Sequence, residues 1–403
     1  MKVLFVSTSI PPETDMQTTR NIYLIEAFLK AGHSVDILTC GDYSRGQSSF
    51  DSILDRTKIY RTNLPCVFKW HSMLTKKCPS KFLLKVHNVA INYYAVPDMY
   101  TGWEKMAIKY IKENNLYDYD ILVSSSGSFT AHFVGKKWKE MTGKKWIAEY
   151  GDPWGLDSFG NVRKINYMKE QPLLSICDGL IFTTQATIDA YKKHYKNQLP
   201  YELVPCGYTE PIIDGSKDDA STKLLFTYTG MAFKRGRNLS EVIEVAKDTP
   251  VMDFMMVGTI SDALRADCAG IDNVICKGRV PYQESLRIIG YSDVMVHIGN
   301  YGTMQVPGKT YIYLSSAKPI LYIQQQMTDD PTLQVLQQFK GVVISKNTKE
   351  DIAAAVKYII NNYDVLKKES EQRTHGELLK SYSWTDLGYK FVRFAESRCG
   401  YEG

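Results

Sequence analysis

The chain has 403 residues, 44% of them apolar, and a formal net charge of +5. That length fits two domains of roughly 200 residues each better than one core. Apolar runs such as Val3–Val6 are far shorter than the roughly 18 residues a membrane span needs, and Met1-Lys2 leads directly into a strand pattern rather than a signal sequence, so a protein made and kept in the cytosol is expected. The eight cysteines (40, 66, 78, 177, 206, 268, 276 and 399) form no C-x-x-C pair and have no His cluster beside them. Neither a disulfide framework nor a zinc site is indicated.

KVLFVST (2–8) reads as a buried strand. A polar loop follows, then a helix over Asn21–Ala31 with apolar positions at 22, 24, 25, 28 and 29, closed by Gly32. HSVDILTC is the second strand. This opening unit lacks the G-x-G-x-x-G fingerprint, which argues against a dinucleotide site.

Between Arg56 and Pro97 there is no Asp or Glu, against eight basic residues: Arg56, Lys58, Arg61, Lys69, Lys76, Lys77, Lys81 and Lys85. The segment carries +8, leaving −3 for the rest. Within it, KFLLKVHNVAINYY (81–94) has the period of an amphipathic helix, and Phe68 and Trp70 flank Lys69. It reads either as a helix packed on its own domain with snorkelling lysines or as a patch for an anionic membrane surface. No nucleic-acid-binding module is recognisable.

Trp103–Asn114 is a further amphipathic helix. DYDILVSSSG (118–127) is a strand ending in a hydroxyl-rich loop with Ser125 and Ser126, followed by a helix over 129–141. KKWIAEY is another strand, and Asp152 lies just past its carboxyl end, where it serves either as a working residue or as a cap for the next turn. The polar, Gly- and Pro-containing stretch Tyr208–Lys223 reads as the break between domains. The expected domains are 1–207, with 381–403 returning to it, and 223–380, joined by the linker 208–222.

The second domain opens LLFTYTGMAFKRGRNL: strand, loop, helix start. Lys234, Arg235 and Arg237 crowd that loop, as a solvated turn or as a cluster for a diphosphate. MDFMMVGT and NVICKGRV are strands and PYQESLRIIGYSD is a helix. Asp293–Leu321 then runs strand, Gly-containing loop, short helix and strand, with its loop at the carboxyl end of a strand, where parallel sheets bind ligands. Backbone amides at that helix start are expected to suit a phosphate. Gly308-Lys309-Thr310 is not a Walker A loop, because Thr303 stands where that motif needs Gly. No Gly-x-Ser-x-Gly or His-Glu-x-x-His is present, and the acidic pairs Asp218-Asp219 and Asp329-Asp330 read as solvated acids rather than metal ligands.

VSTSIPPET (6–14), AGHSVDILT (31–39), WIAEYGDPW (146–154), YTGMAFKRGRNL (228–239), VGT (257–259), KGRVPYQESLRIIGYSDVMV (277–296) and VPGKTYIYLSSAKPIL (306–321) together resemble family 4 of the GT-B glycosyltransferases, the D-P-W being a bacterial polysaccharide variant. The resemblance implies an α/β architecture of two Rossmann-like doubly wound domains facing a cleft, with a C-terminal helix crossing back to the first. It implies a retaining, metal-independent transfer of a sugar from a nucleotide-sugar, with UDP-sugar favoured over GDP-sugar, to a lipid-linked saccharide in cell-surface polysaccharide synthesis. The nucleotide-sugar is a substrate, so no cofactor is expected.

By position, Asp152, Lys234 and Arg235 would be catalytic. Gly230, Arg237, Gly258, Arg279, Val280, Asn300, Tyr301, Gly302, Thr303, Val306, Gly308, Lys309 and Thr310 would line the donor site. Thr14, Asp15, Ser125, Ser126 and His132 would lie on the acceptor side. The chain departs from the family at its paired glutamates, replaced by Met304 and Ile312, leaving the ribose contact to Tyr311, Tyr313 or backbone. It departs again at a His whose place falls near Ser125, leaving that role to Asp152 or His132. Glu13-Thr14-Asp15 replaces the Gly-Gly of the first loop. Other readings are a GT-B nucleotide-sugar epimerase or hydrolase and a non-catalytic sugar-nucleotide binder.

Overall fold

A computed structural model describes residues 1–12, 15–41, 50–77, 87, 89–91, 94–156, 164–196, 198–212, 215, 223–234, 236–300, 304–325 and 329–401. The chain divides into two compact units, Met1–Pro205 with Trp384–Gly403, and Cys206–Ser383. Within the stretch expected as a linker, Tyr208 and Ile212 form isolated bridges to Ser383 and Ser316 of the second unit.

The first unit holds a parallel sheet built from β1 (Lys2–Val6), β2 (Ser34–Cys40), β3 (Lys58–Thr62), β4 (Ile121–Ser125), β5 (Lys145–Tyr150), β6 (Gly179–Phe182) and β7 (Tyr201–Leu203), in the order β3-β2-β1-β4-β5-β6-β7. The second holds β8 (Leu224–Thr229), β9 (Met252–Val257), β10 (Val274–Lys277), β11 (Val294–Ile298), β12 (Ile320–Gln324) and β13 (Val342–Lys346), in the order β10-β9-β8-β11-β12-β13, again parallel. The central strands β1, β4, β5, β11 and β12 are buried almost throughout. That is why they read as continuous apolar runs rather than alternations.

In each sheet the winding reverses beside the first strand, between β1 and β4 and between β8 and β11. These reversals open crevices at the carboxyl ends of the strands. In the first unit the helix Met16–Lys30 starts earlier than its apolar period suggests, because Asp15 accepts a 2.6 Å bond from the Thr18 amide and caps it. The last helix, Trp384–Cys399, belongs to this unit. It lies on Met16–Lys30 with Gly388 against Ala27, where a Cβ at 388 would stand 2.6 Å from the Ala27 methyl. Tyr23 stacks on Trp384 at 5.5 Å, and Phe28 meets Phe391 edge-on at 5.4 Å.

The helix expected over 81–94 lies mostly outside the described residues. A helix that the sequence pattern did not suggest, Cys66–Lys77, occupies the middle of the basic segment. No helix among the described residues is long and apolar enough to cross a membrane.

Candidate functional site

In the second unit the crevice between β8 and β11 is lined by cations. Lys309 opens the helix Lys309–Leu314. Its amine reaches the Thr229 carbonyl at 3.3 Å and lies 3.8 Å from the centre of the Tyr228 ring. Part of the residue stays exposed, but its charged end is enclosed. This desolvation, with Arg237 close by, holds its pKa well below that of an ordinary lysine. Arg237 gives its Nε–H to the Asn300 side-chain oxygen at 3.0 Å. Among the described residues neither cation is paired with a carboxylate. A desolvated ammonium without a counter-ion is costly, and the half-buried Arg237 adds like charge beside it, so an anion arriving there would relieve both.

The framework around this pair is rigid. Tyr313, one turn beyond Lys309, accepts the Thr229 N–H at 2.8 Å and bonds the Thr229 hydroxyl at 2.9 Å. Thr310 bonds Nε2 of the buried His297 at 2.8 Å, tying the helix start to β11. Burial, followed by the Lys309 charge, drives the His297 pKa well down. Gly230 and Gly258 back onto each other. Gly258 has φ +132°, and a Cβ there would meet the Gly230 carbonyl oxygen at 2.1 Å, so only glycine lets the loops after β8 and β9 approach this closely. Gly258 is thereby a packing residue that holds Gly230 beside the Lys309 amine.

Of the expected donor-site residues, Gly230, Arg237, Gly258, Asn300, Gly308, Lys309 and Thr310 cluster at the ends of β8, β9 and β11, with Val306 buried in the adjoining loop. Arg279 and Val280 follow β10, at the sheet's far edge. Lys234 instead forms a surface pair with Asp267 at 3.0 Å. Arg235, Tyr301, Gly302 and Thr303 lie outside the described residues. The expectation of free helix-start amides is corrected in part: the Thr310 and Tyr311 N–H groups are already bonded to Pro307 and Gly308 carbonyls. The positive potential comes from side chains. Ile312 is buried, and the Tyr313 hydroxyl is committed to Thr229, so neither offers a ribose contact here.

In the first unit, Asp15 is a helix cap and Thr14 lies outside the described residues. Asp152 is exposed just past β5, in a loop joined to the loop after β4 by a bond from the Gly151 amide to the Ser126 hydroxyl at 2.8 Å. Ser125 is buried, bonded to Glu149 at 2.7 Å and to Asn21 at 2.6 Å. His132 is buried as well. Its Nδ1 bonds Ser124 at 2.8 Å and its ring lies on Tyr150, and desolvation pulls its pKa down to about 3. Of the two candidates for the missing histidine's role, only Asp152 has an exposed side chain.

Two buried clusters escaped the sequence reading. Arg20 bonds Glu149 at 2.7 Å and the carbonyls of Pro205 and Val204 at 2.7 and 2.8 Å, with both side chains almost wholly buried. Glu170 accepts bonds from the Tyr191 hydroxyl at 2.7 Å, the Gly155 amide at 2.9 Å and the Tyr195 hydroxyl. Desolvation outweighs these donors and lifts its pKa to about 7. Through the Gly155 amide the cluster holds the loop just past Asp152.

No protein-family model matches the sequence, and no curated protein matches it. Solved structures do match in three dimensions. Sucrose-phosphate synthase from Thermosynechococcus elongatus aligns over 100% of both chains, with TM-score 0.71 and 14% identity. The Anabaena protein HepE, solved in complex with UDP, aligns over 98% of this chain and 100% of its own, with TM-score 0.69 and 10% identity. A putative UDP-N-acetylglucosamine 2-epimerase from Listeria monocytogenes aligns over 100% of this chain and 97% of its own, with TM-score 0.60 and 11% identity. The fold is GT-B. In a GT-B chain the crevice between β8 and β11 belongs to the second of two doubly wound sheets, and its two cations face the same sheet edge as the loops after β9 and β10.

Proposed function

We propose that this GT-B chain is a glycosyltransferase that takes a sugar from a nucleotide-sugar, with UDP favoured over GDP. The observation that carries the reading is the unpaired cation couple, Lys309 and Arg237, at the β8–β11 reversal. A departing nucleoside diphosphate is the anion such a couple suits, and positive charge placed on a leaving group lowers the barrier to transfer. The likeness to a protein solved with UDP supports the same choice. Transfer proceeds with retention and without a metal, and Lys234 and Arg235 in the loop after β8 add charge near the phosphates. Asp152 serves the acceptor side.

The acceptor we propose is a lipid-linked saccharide in cell-surface polysaccharide synthesis, met at the inner face of an anionic membrane. The helix Cys66–Lys77 supports this: Trp70 is 66% and Met73 50% exposed beside the exposed Lys69, and Tyr94 nearby is 76% exposed. Large apolar side chains next to cations suit an interface between headgroups and acyl chains. Arg56 and Arg61 contribute less, since they are tied to the carbonyls of Leu29 and Pro11.

The reading is tested by melting the chain with UDP, GDP and their sugar conjugates, since a ligand of the native state raises its stability by mass action. A shift with UDP compounds that disappears in Arg237→Ala is expected, and no shift with any nucleotide overturns the reading. A nucleotide-sugar epimerase is the second reading, favoured by the full-length likeness to the Listeria protein. Incubating the chain with UDP-sugars and no acceptor separates the two, because only an epimerase gives an isomeric sugar.

A further inference from the structure

Cys268 and Cys276 lie outside the cation crevice, at the end of the helix Asp262–Asp267 and in the edge strand β10. We propose that these two thiols form a modification site that closes to a disulfide when a hydroperoxide reaches them. Their sulfurs are 3.1 Å apart, and a disulfide bond of about 2.05 Å needs them to close by roughly 1 Å. Both cysteines are half-buried, so a small oxidant has access.

The bonding order gives the two sulfurs different roles. The Cys276 thiol points its hydrogen at the Cys268 sulfur, and the Cys268 thiol donates to the Leu264 carbonyl at 3.1 Å. Burial and the adjacent Cys276 push the Cys268 pKa up and Leu264 holds its hydrogen, so the first attack is assigned to Cys276. Its thiolate takes the distal peroxide oxygen, the O–O bond breaks, and Cys276 becomes a sulfenic acid while the remaining oxygen leaves as water or an alcohol. The Cys268 sulfur then attacks the sulfenic sulfur, the S–O bond breaks, and water departs with the Cys268 proton. Two electrons pass from the sulfur pair to the peroxide. In a reducing compartment such a bond is transient and returns to the dithiol by exchange.

The site is wired to the loop after β8. Asp267, next to Cys268, holds Lys234 at 3.0 Å and also accepts from the Ser240 hydroxyl at 3.0 Å. Lys277, next to Cys276, receives the Gly258 N–H at 3.1 Å, and Gly258 backs directly on Gly230. Drawing the two sulfurs together moves both supports of that loop. The expected consequence, weaker UDP binding in the oxidised chain, rests on the function proposed above, whereas bond formation does not.

The test uses the whole reduced chain, treated with a small excess of hydrogen peroxide and mapped by non-reducing peptide mass spectrometry. A linked peptide pair joining residues 268 and 276 is expected, with the loss of two titratable thiols, reversal by dithiothreitol, and no such link in Cys276→Ser or Cys268→Ser. Two free thiols after treatment, separate sulfinic acids, or a link to another cysteine each overturn the site. Melting with UDP reads the coupling: a smaller shift after oxidation supports it, and an equal shift in reduced and oxidised chains overturns it. If the reduced chain ignores UDP, the donor reading fails while the disulfide map still decides the thiol site.

Discussion

The Lys309 amine stands 3.8 Å from the centre of the Tyr228 ring, with the Thr229 carbonyl as its one hydrogen-bond partner among the described residues. A cation held this way stabilises the empty protein poorly, since ring and carbonyl replace only part of its lost hydration. Methionine has nearly the same length and no charge to desolvate. Lys309→Met is therefore expected to melt a few degrees higher than the parent chain without nucleotide, and to lose the UDP-induced shift. If the variant melts lower without nucleotide yet keeps the shift, Lys309 is a structural lysine and the anion sits elsewhere.

The Arg20–Glu149 pair makes a prediction about the first sheet. Arg20 gives one N–H from each of its three nitrogens to a carboxylate and two carbonyls beyond β7, so removing it takes the counter-charge from a buried carboxylate. Breaking one partner of such a pair costs about 3–5 kcal/mol, whereas removing both leaves no orphaned charge. Urea unfolding should show Arg20→Met strongly destabilised and Arg20→Met/Glu149→Gln substantially recovered. A double variant no more stable than the single one would mean that the carbonyl bonds of Arg20, rather than its charge pairing, hold the sheet edge.

Sequence pattern reaches the parts of this molecule that repeat locally. The thirteen described strands mostly coincide with apolar runs, and the loops after β8 and β11 stand out because cations and glycines interrupt those runs. What it misses are partnerships across long separations. Tyr313 reaches Thr229 from 84 positions away and Arg20 reaches Glu149 from 129. Glu170 looks like any helical glutamate until Tyr191, Tyr195 and Gly155 enclose it. Lys234 is a further case: its position in a basic loop suggested a phosphate ligand, and nothing local reveals that Asp267, far along the chain, pairs with it at 3.0 Å. His132 looked available from sequence because nothing local reveals that Tyr150 covers it.

The exposed side chains of the helix Cys66–Lys77 make the proposed membrane contact testable. Each basic residue near an anionic surface contributes about 1 kcal/mol, and the exposed Trp70 and Met73 add apolar contact. Flotation with anionic vesicles should carry the chain upward, more weakly with neutral vesicles or raised salt. Trp70→Ala/Met73→Ala should reduce recovery on both vesicle types, whereas changing Lys69, Lys76, Lys77, Lys81 and Lys85 to Glu should abolish the preference for anionic lipid. Equal recovery on neutral and anionic vesicles, unchanged in the Glu variant, removes the membrane from the proposal.

Glu170 should make stability depend on pH in the direction opposite to most acids. Desolvation raises its folded pKa to about 7, above the 4.5 of an unburied glutamate, so the folded chain holds a proton that the unfolded chain has released. The associated stability is complete below pH 4.5 and is lost as pH rises through 7. A shift of that size corresponds to something on the order of 3 kcal/mol. Glu170→Gln keeps the shape and stays neutral, with one oxygen for the Gly155 amide and an amide group for the Tyr191 hydroxyl. The variant should match the parent near pH 4.5, melt progressively higher than it as pH rises from 4.5 to 7, and keep a constant advantage above that, as the two pKa values require. The buried His132, whose folded pKa falls to about 3, acts the other way, destabilising the chain as pH drops below 6.5. Its effect is common to both proteins and cancels in their difference. A melting difference that stays flat across this range would mean that Glu170 is ionised in the folded chain and that its three donors outweigh its burial.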